Sequence, residues 1–248
     1  MVLVHIQQLS TSKTLLQSAA KLAGQLGKSF AVLTVADTEA KLKTVLNECK
    51  IPNCQIFIED SSKSLVEVCE AEEASFLFIQ LPEGQTKSIR RLLNDCRELR
   101  IPYLFFKDSF NPLDLKKVIL PIGFLEEELE KAQFASAFGR FCGSEVIMLL
   151  ANDYGSKAAM NAEKMKELFD KFDFKYSLDK ATKDSFKVEA ESIQVAEKEQ
   201  AGIIIVSASR DYGLDDILFG PKEYHVVKKS LVPVLLVNPR GDLYALCD

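Results

Sequence analysis

The stretch IIIVSASRDYGLDDILFGPKEYHVV, from Ile203 to Val227, decides how the chain is read. It opens on a continuous apolar run, passes through a loop carrying glycines and hydroxyls, and continues into a helical pattern. Strand, loop and helix in that order commonly build a phosphate cradle, because a helix start offers unpaired backbone N–H groups and the positive end of a dipole. Two features argue against a working cradle here. Pro221 stands where a phosphate-binding hydroxyl would be useful, and Asp211, Asp215 and Asp216 crowd the loop with like charge.

Outward from this stretch, the same alternation fills the chain. The first half offers VLVHIQ, FAVLTV, CQIFIE, FLFIQL and IPYLFFK as strands, with helical patterns between them. The second half repeats the order with KKVILPIG, EVIMLLAN, FKYSLD, GIIIVSA and VPVLLVNP. Runs such as GIIIV and PVLLV, apolar at every position, suit parallel strands covered on both faces. Among the helices, Leu15, Leu16, Ala19, Leu22, Ala23 and Leu26 form one stripe at i, i+3, i+4 spacing. The expectation is two doubly wound, Rossmann-like α/β domains, residues 1–110 and 111–248, joined by the polar, proline-bearing KDSFNPLDLKK. Pro102 and Pro233 precede the last strand of each half, which supports an internal duplication.

The composition excludes several classes. The 248 residues are 47% hydrophobic and 27% charged, with a net charge of −5, which disfavours a nucleic-acid partner. No apolar run approaches the about 18 residues of a membrane span. The start, MVLVHIQQL, lacks the basic segment and long apolar core of a signal peptide, so the expected compartment is the cytoplasm. Six scattered cysteines and two histidines offer no zinc spacing, and the cysteines read as reduced thiols, most of them core residues. His5 lies in a strand pattern and His225 at a helix surface. Without Walker A, GxSxG or HExxH motifs, the sequence gives no catalytic residue and no metal ligand, and the chain is expected not to be an enzyme. The basic helix KSIRRLLNDCRELR reads as a charged outer face opposite Ile89, Leu92, Leu93 and Cys96, and the RGD at 240–242 as coincidence.

VILPIG, together with IIIVSASRDYGLDDILFG…VVKKSLVPVLLV, resembles the second repeat of a tandem universal stress protein, whose domains are similar to adenine nucleotide alpha hydrolases. The resemblance spans nearly the whole chain, and pattern carries it in the first repeat. ATP-binding members carry G-x2-G-x9-G-[S/T]; here those positions fall on Ser207, Arg210, Gly220 and Pro221. Gly220 alone matches. The family's Asp at the end of the first strand is replaced by Gly123, and by Gln7 in the first repeat. Gln80 ends the first repeat's fourth strand, and the loop after it is too short for the motif.

The resemblance therefore implies a stress-associated regulatory or scaffold protein without cofactor. The alternative is a sensor of ATP or AMP whose second-repeat crevice is lined by Gly123, Ser207, Arg210, Gly220 and Lys222. It also implies an intramolecular pseudo-dimer through IPYLFF and VPVLLVN, room for a homodimer, and a client protein that no residue identifies. Glu126, Glu127 and Glu128 are expected to favour a helix N-terminus.

Overall fold

The computed structural model describes residues 1–84, 88–209 and 220–240. The chain divides into two compact units, Met1–Leu113 and Asp114–Asp248. Each is a doubly wound α/β sheet whose strands all run parallel.

In the first unit, β1 (Val2–His5), β2 (Phe30–Thr34), β3 (Cys54–Ile58), β4 (Phe76–Leu81) and β5 (Tyr103–Lys107) alternate with α1 (Lys13–Gln25), α2 (Glu39–Glu48), α3 (Leu65–Ala71) and α4 (Ser88–Asp95). The strand order is β3-β2-β1-β4-β5, with Val4 registered on Val32 and on Phe78. Right-handed crossovers place α1 and α2 on one face and α3 and α4 on the other. Val2, Leu3, Val4, Val32 and Phe78 are fully buried, which accounts for the apolar residue at every position of these strands. Of the α1 stripe, Leu26 alone stays half-exposed, at the helix end. Ser64 and Glu67 close a reciprocal capping box at the start of α3.

The second unit repeats the plan with β6 (Lys117–Ile122), β7 (Glu145–Leu150), β8 (Tyr176–Lys180), β9 (Ile203–Ser207) and β10 (Val234–Val237), and with α5 (Glu130–Cys142), α6 (Lys157–Lys171), α7 (Val188–Lys198) and α8 (Lys222–Lys229). Its order is β10-β9-β6-β7-β8. The two prolines have the same use in both units. Lacking an N–H, each still offers its carbonyl to the strand before it: Leu77 N–H donates to Pro102 O, and Ile204 N–H to Pro233 O, both at 3.1 Å.

The segment after β5 is not a loose linker. Phe110 and Leu113 are buried, and the Leu113 N–H donates to Ser18 Oγ at 3.0 Å. The cysteines are less often core residues than expected: of the five described, Cys69 and Cys96 are buried while Cys49, Cys54 and Cys142 are half-buried. No described helix is long and apolar enough to cross a membrane.

Candidate functional site at the strand-end switch points

In an open parallel sheet, ligands gather where consecutive crossovers diverge, just beyond the carboxyl ends of the two central strands. Those points lie between β1 and β4 in the first unit and between β6 and β9 in the second. Protein side chains reach into both.

In the first unit the filling group is Gln80, fully buried at the end of β4. Its Oε1 accepts from the Gln7 and Gln8 N–H groups at 2.9 and 2.8 Å. Its Nε2 donates to Gln8 O at 2.8 Å, Thr11 Oγ1 at 3.2 Å and Asp108 Oδ1 at 2.8 Å. The Gln7 amide returns a bond to Gln80 O at 3.0 Å. The backbone donors after β1 are thus already satisfied by one side-chain amide.

In the second unit, β6 runs alongside β7 as far as Ile122, but its register with β9 extends only over Val118 and Ile119. Pro121 has no N–H with which to extend that ladder, and a crevice begins there. The Pro121 carbonyl instead accepts from Lys131 Nζ at 2.6 Å. Lys131 is fully buried and lies 3.5 Å from Glu128. The Glu128 carboxylate in turn accepts the Gly123 N–H. Asn161 closes the arrangement, its Nδ2 donating to Gly123 O at 3.0 Å and Leu125 O at 2.8 Å. Gly123 is needed for this packing: a Cβ there would stand 2.8 Å from Glu128 Oε1 and 3.0 Å from Ser185 Oγ. Ser185 is itself held by Asp153, which accepts from both its N–H and its hydroxyl.

The three glutamates before α5 do lie in the first turn of a helical segment, and one of them also turns into the crevice. Residues 126–129 form a 3-10 turn, Glu126 pairs with Lys164 at 3.3 Å, and Glu128 points inward, buried.

On the far side of the crevice, Lys222 opens α8 and pairs with Glu189 of α7 at 3.0 Å. Burial pushes the Glu189 carboxyl above its ordinary range, against the pull of Lys222 and Lys131. Burial also works against the charged form of Lys222, but Glu189 and Glu128 outweigh it, and its pKa lies above the usual lysine value. Glu223, fully buried in the first turn of α8, accepts from Ser209 N–H at 3.2 Å and Ser209 Oγ at 2.9 Å. Gly220 adopts a left-handed φ of 88°, the conformation that favours glycine. Ser207 ends β9, and its buried Oγ has no hydrogen-bond partner among the described residues; Glu189 Oε2 shares that condition. Arg210, Asp211, Asp215 and Asp216 lie outside the described residues, as do Lys87 and the tail from Gly241.

Of the candidate residues, the structure engages Gly123 with a carboxylate and ties Lys222 to another. The crevice holds Glu128, Glu189 and Glu223 against Lys131 and Lys222, so a phosphate would have to displace carboxylates to reach either ammonium. Sequence reasoning placed Glu128 at the helix start beside the strand end, and missed Lys131, Asn161 and Glu189 as crevice residues. The signal was present: Glu128, Lys131, Ala132, Ala135 and Phe138 share one helical stripe, as do Val188, Glu189, Ser192 and Ala196, all buried. No group of three or more metal-ligating side chains among the described residues is placed to hold an ion.

No family model matches the sequence, and no curated protein matches it either. Solved structures do match over nearly the full chain. A universal stress protein from Archaeoglobus fulgidus aligns with a TM-score of 0.71 at 14% identity, covering 97% of each chain. A functionally unknown protein from Pseudomonas aeruginosa aligns with a TM-score of 0.64 at 16% identity, covering 99% of this chain and 94% of its own. A provisionally named universal stress protein from the same organism gives 0.64 at 15% identity, over 99% and 95%. The fold of this chain, carried twice in succession, is that of the universal stress proteins.

Proposed function

We propose that the chain is a non-enzymatic universal stress protein-type regulator or scaffold, acting in the cytoplasm, whose ATP site has been taken over by its own side chains. The observation that carries this reading is the Glu128 carboxylate on the Gly123 N–H, at the strand end where the family resemblance implies a nucleotide. The carboxylates of Glu128 and Glu189 give the Lys131 and Lys222 ammoniums the negative partner that a bound phosphate would otherwise provide. Mass spectrometry of the purified chain under native and denaturing conditions tests it. The reading expects the bare mass of the chain, and a stoichiometric nucleotide carried through purification would reverse it.

A second reading, a small-molecule sensor, is favoured by two specific atoms. Ser207 Oγ and Glu189 Oε2 are buried at the second unit's crevice without partners among the described residues, and buried polar atoms ordinarily have one. The proposal also includes edge-to-edge pairing of β5 and β10 as an intramolecular pseudo-dimer. Its support is that each ends its unit's strand order and is apolar along its length, a type of edge that invites pairing. A fragment ending at Asp108 that folded as a stable monomer would contradict it.

A further inference from the structure

In the first unit β3 is an outermost strand, paired on one side with β2, and half of its backbone is used there. The Glu59 N–H, just past the strand, donates to Thr34 O of β2 at 2.9 Å. Every second residue of a strand turns the same way, so Gln55 and Phe57 also face β2. The N–H and C=O groups of Cys54, Ile56 and Ile58 therefore point to the other side, where the first unit has no strand. Sheet edges are normally blunted by charge, proline or a bulge. CQIFI carries neither charge nor proline, and its register with β2 runs unbroken from Cys54 to Ile58. Gln55 and Ile58 are exposed, the latter by 40%, and Cys54, Ile56 and Phe57 are half-buried. In the second unit the outermost strand β8 shows the contrast, with Asp179 and Lys180 exposed within it.

The charges of β3 lie beyond its ends and differ in sign. Lys50 precedes the strand, while Glu59 and Asp60 follow it, all three exposed. Glu48 does not cancel Lys50, because it pairs with Lys13 at 3.3 Å. Lys63 comes only after the chain has turned, its N–H donating to Asp60 O at 2.9 Å. A strand that is basic before and acidic after complements an inverted copy of itself.

We propose that β3 pairs antiparallel with β3 of a second copy of this chain, about a two-fold axis at Ile56. Ile56 of the two copies exchange backbone hydrogen bonds, and Cys54 of each exchanges with Ile58 of the other. These three residues make one apolar row on one face of the joined sheet, and Gln55 meets Phe57 on the other. Pro52, which has no N–H, ends the ladder beyond Cys54. Lys50 of each copy then lies diagonally across from Asp60 of the other. Within the unit this edge is opposite to β5, so the pairing proposed for β5 and β10 can fail without it.

The test uses the full chain. Sedimentation equilibrium between ~10 µM and ~1 mM should show monomer passing to dimer with a Kd of about 100 µM, the weak end expected of a single pair of strands. Ile58→Lys, at a side chain that is already 40% exposed, should weaken the dimer about 10-fold or more. Asp60→Lys should weaken it about 5-fold, and adding Lys50→Glu to that variant should bring it back to within about 2-fold of wild type. Hydrogen exchange in the wild type stands even if a variant folds poorly. The Ile56 amide should exchange about 4-fold more slowly at ~1 mM than at ~10 µM, while the Phe57 amide, which faces β2, keeps its rate. A chain that stays monomeric to ~1 mM, or a dimer that Ile58→Lys leaves intact, would overturn the proposal. So would a double charge variant no tighter than Asp60→Lys, or an Ile56 amide that exchanges alike at both concentrations.

Discussion

The carboxylate of Glu128 accepts a hydrogen bond from the backbone N–H of Gly123, five residues earlier in the chain. That one contact converts the end of β6 from an open donor into a closed loop. It works because glycine leaves room for the carboxylate, and because Lys131 behind it supplies the balancing charge. The side chains meet in a region from which both are almost fully excluded from water, so each depends on the other.

Removing one partner should therefore cost far more than removing both. Glu128→Ala leaves the Lys131 ammonium buried without its carboxylate, and a loss of about 3–5 kcal/mol is expected. The double variant Glu128→Leu with Lys131→Met should recover most of that loss, because apolar replacement of a buried pair is often close to neutral. Urea unfolding of Glu128→Leu, Lys131→Met and the double variant measures the coupling directly. Additive losses would show that the pair does not act as a unit.

In the first unit, Gln80→Leu should be strongly destabilising despite its similar volume. The change deprives the Gln7 and Gln8 N–H groups, the Gln8 carbonyl and Asp108 of a partner at once. Each orphaned buried group costs about 1–3 kcal/mol, and water reaching some of them should hold the total near 3 kcal/mol. Gln80→Glu keeps the acceptor but loses the three bonds that Nε2 donates, so it should fall between wild type and Leu. Equilibrium unfolding that placed Gln80→Leu within about 0.5 kcal/mol of wild type would contradict the role given to this amide.

Much of the fold was legible because parallel strands buried on both faces advertise themselves. GIIIV and PVLLV leave no polar position for an alternating pattern, and Pro102 and Pro233 mark the same place in both halves. The crevice was harder to read. Glu128 and Lys131 share a stripe with Ala132, Ala135 and Phe138, so their inward face was readable; that Glu128 closes on Gly123 depends on the ladder that stops at Ile119, which a local reading does not contain. His5 read as a strand residue, and it is one, but its bridge to Glu59 joins residues 54 positions apart and depends on the strand order. The loop positions around Arg210 carried the family comparison, and the structure describes only their flanks.

Acid should weaken the first unit through Glu59. Folding lowers the pKa of this carboxyl, so its contribution is fully present above the unfolded value near 4.5 and is lost as pH falls through the lower folded value. Glu59→Gln should be less stable than wild type at neutral pH and should lose part of the acid dependence between about pH 5 and pH 3. Urea midpoints across that range provide the check, and parallel pH profiles for the two proteins would exclude the linkage.

Two glycine substitutions in the second unit should separate sharply. A Cβ on Gly202 would overlap the carbonyl oxygen of Asp114, backbone that cannot rotate away. Gly202 also donates its N–H to Lys117 O at 3.0 Å. Gly202→Ala should therefore cost about 2 kcal/mol or more. Gly155 is exposed, and a Cβ there meets nothing within 4 Å, so Gly155→Ala should stay within about 0.5 kcal/mol of wild type. Thermal unfolding of the pair is sufficient to rank them.

The central claim is that the second unit's crevice is filled by the chain's own carboxylates and lysines rather than by a nucleotide. A thermal-shift titration with ATP–Mg²⁺ and with AMP tests it most directly. A ligand present at 100 times its Kd would add about 2.7 kcal/mol to the folded state, enough to move the transition by several degrees. The transition temperature should stay flat across both titrations. A saturable rise with ATP–Mg²⁺ would contradict it, because the phosphates would then have displaced Glu128 or Glu189 from the groups they hold.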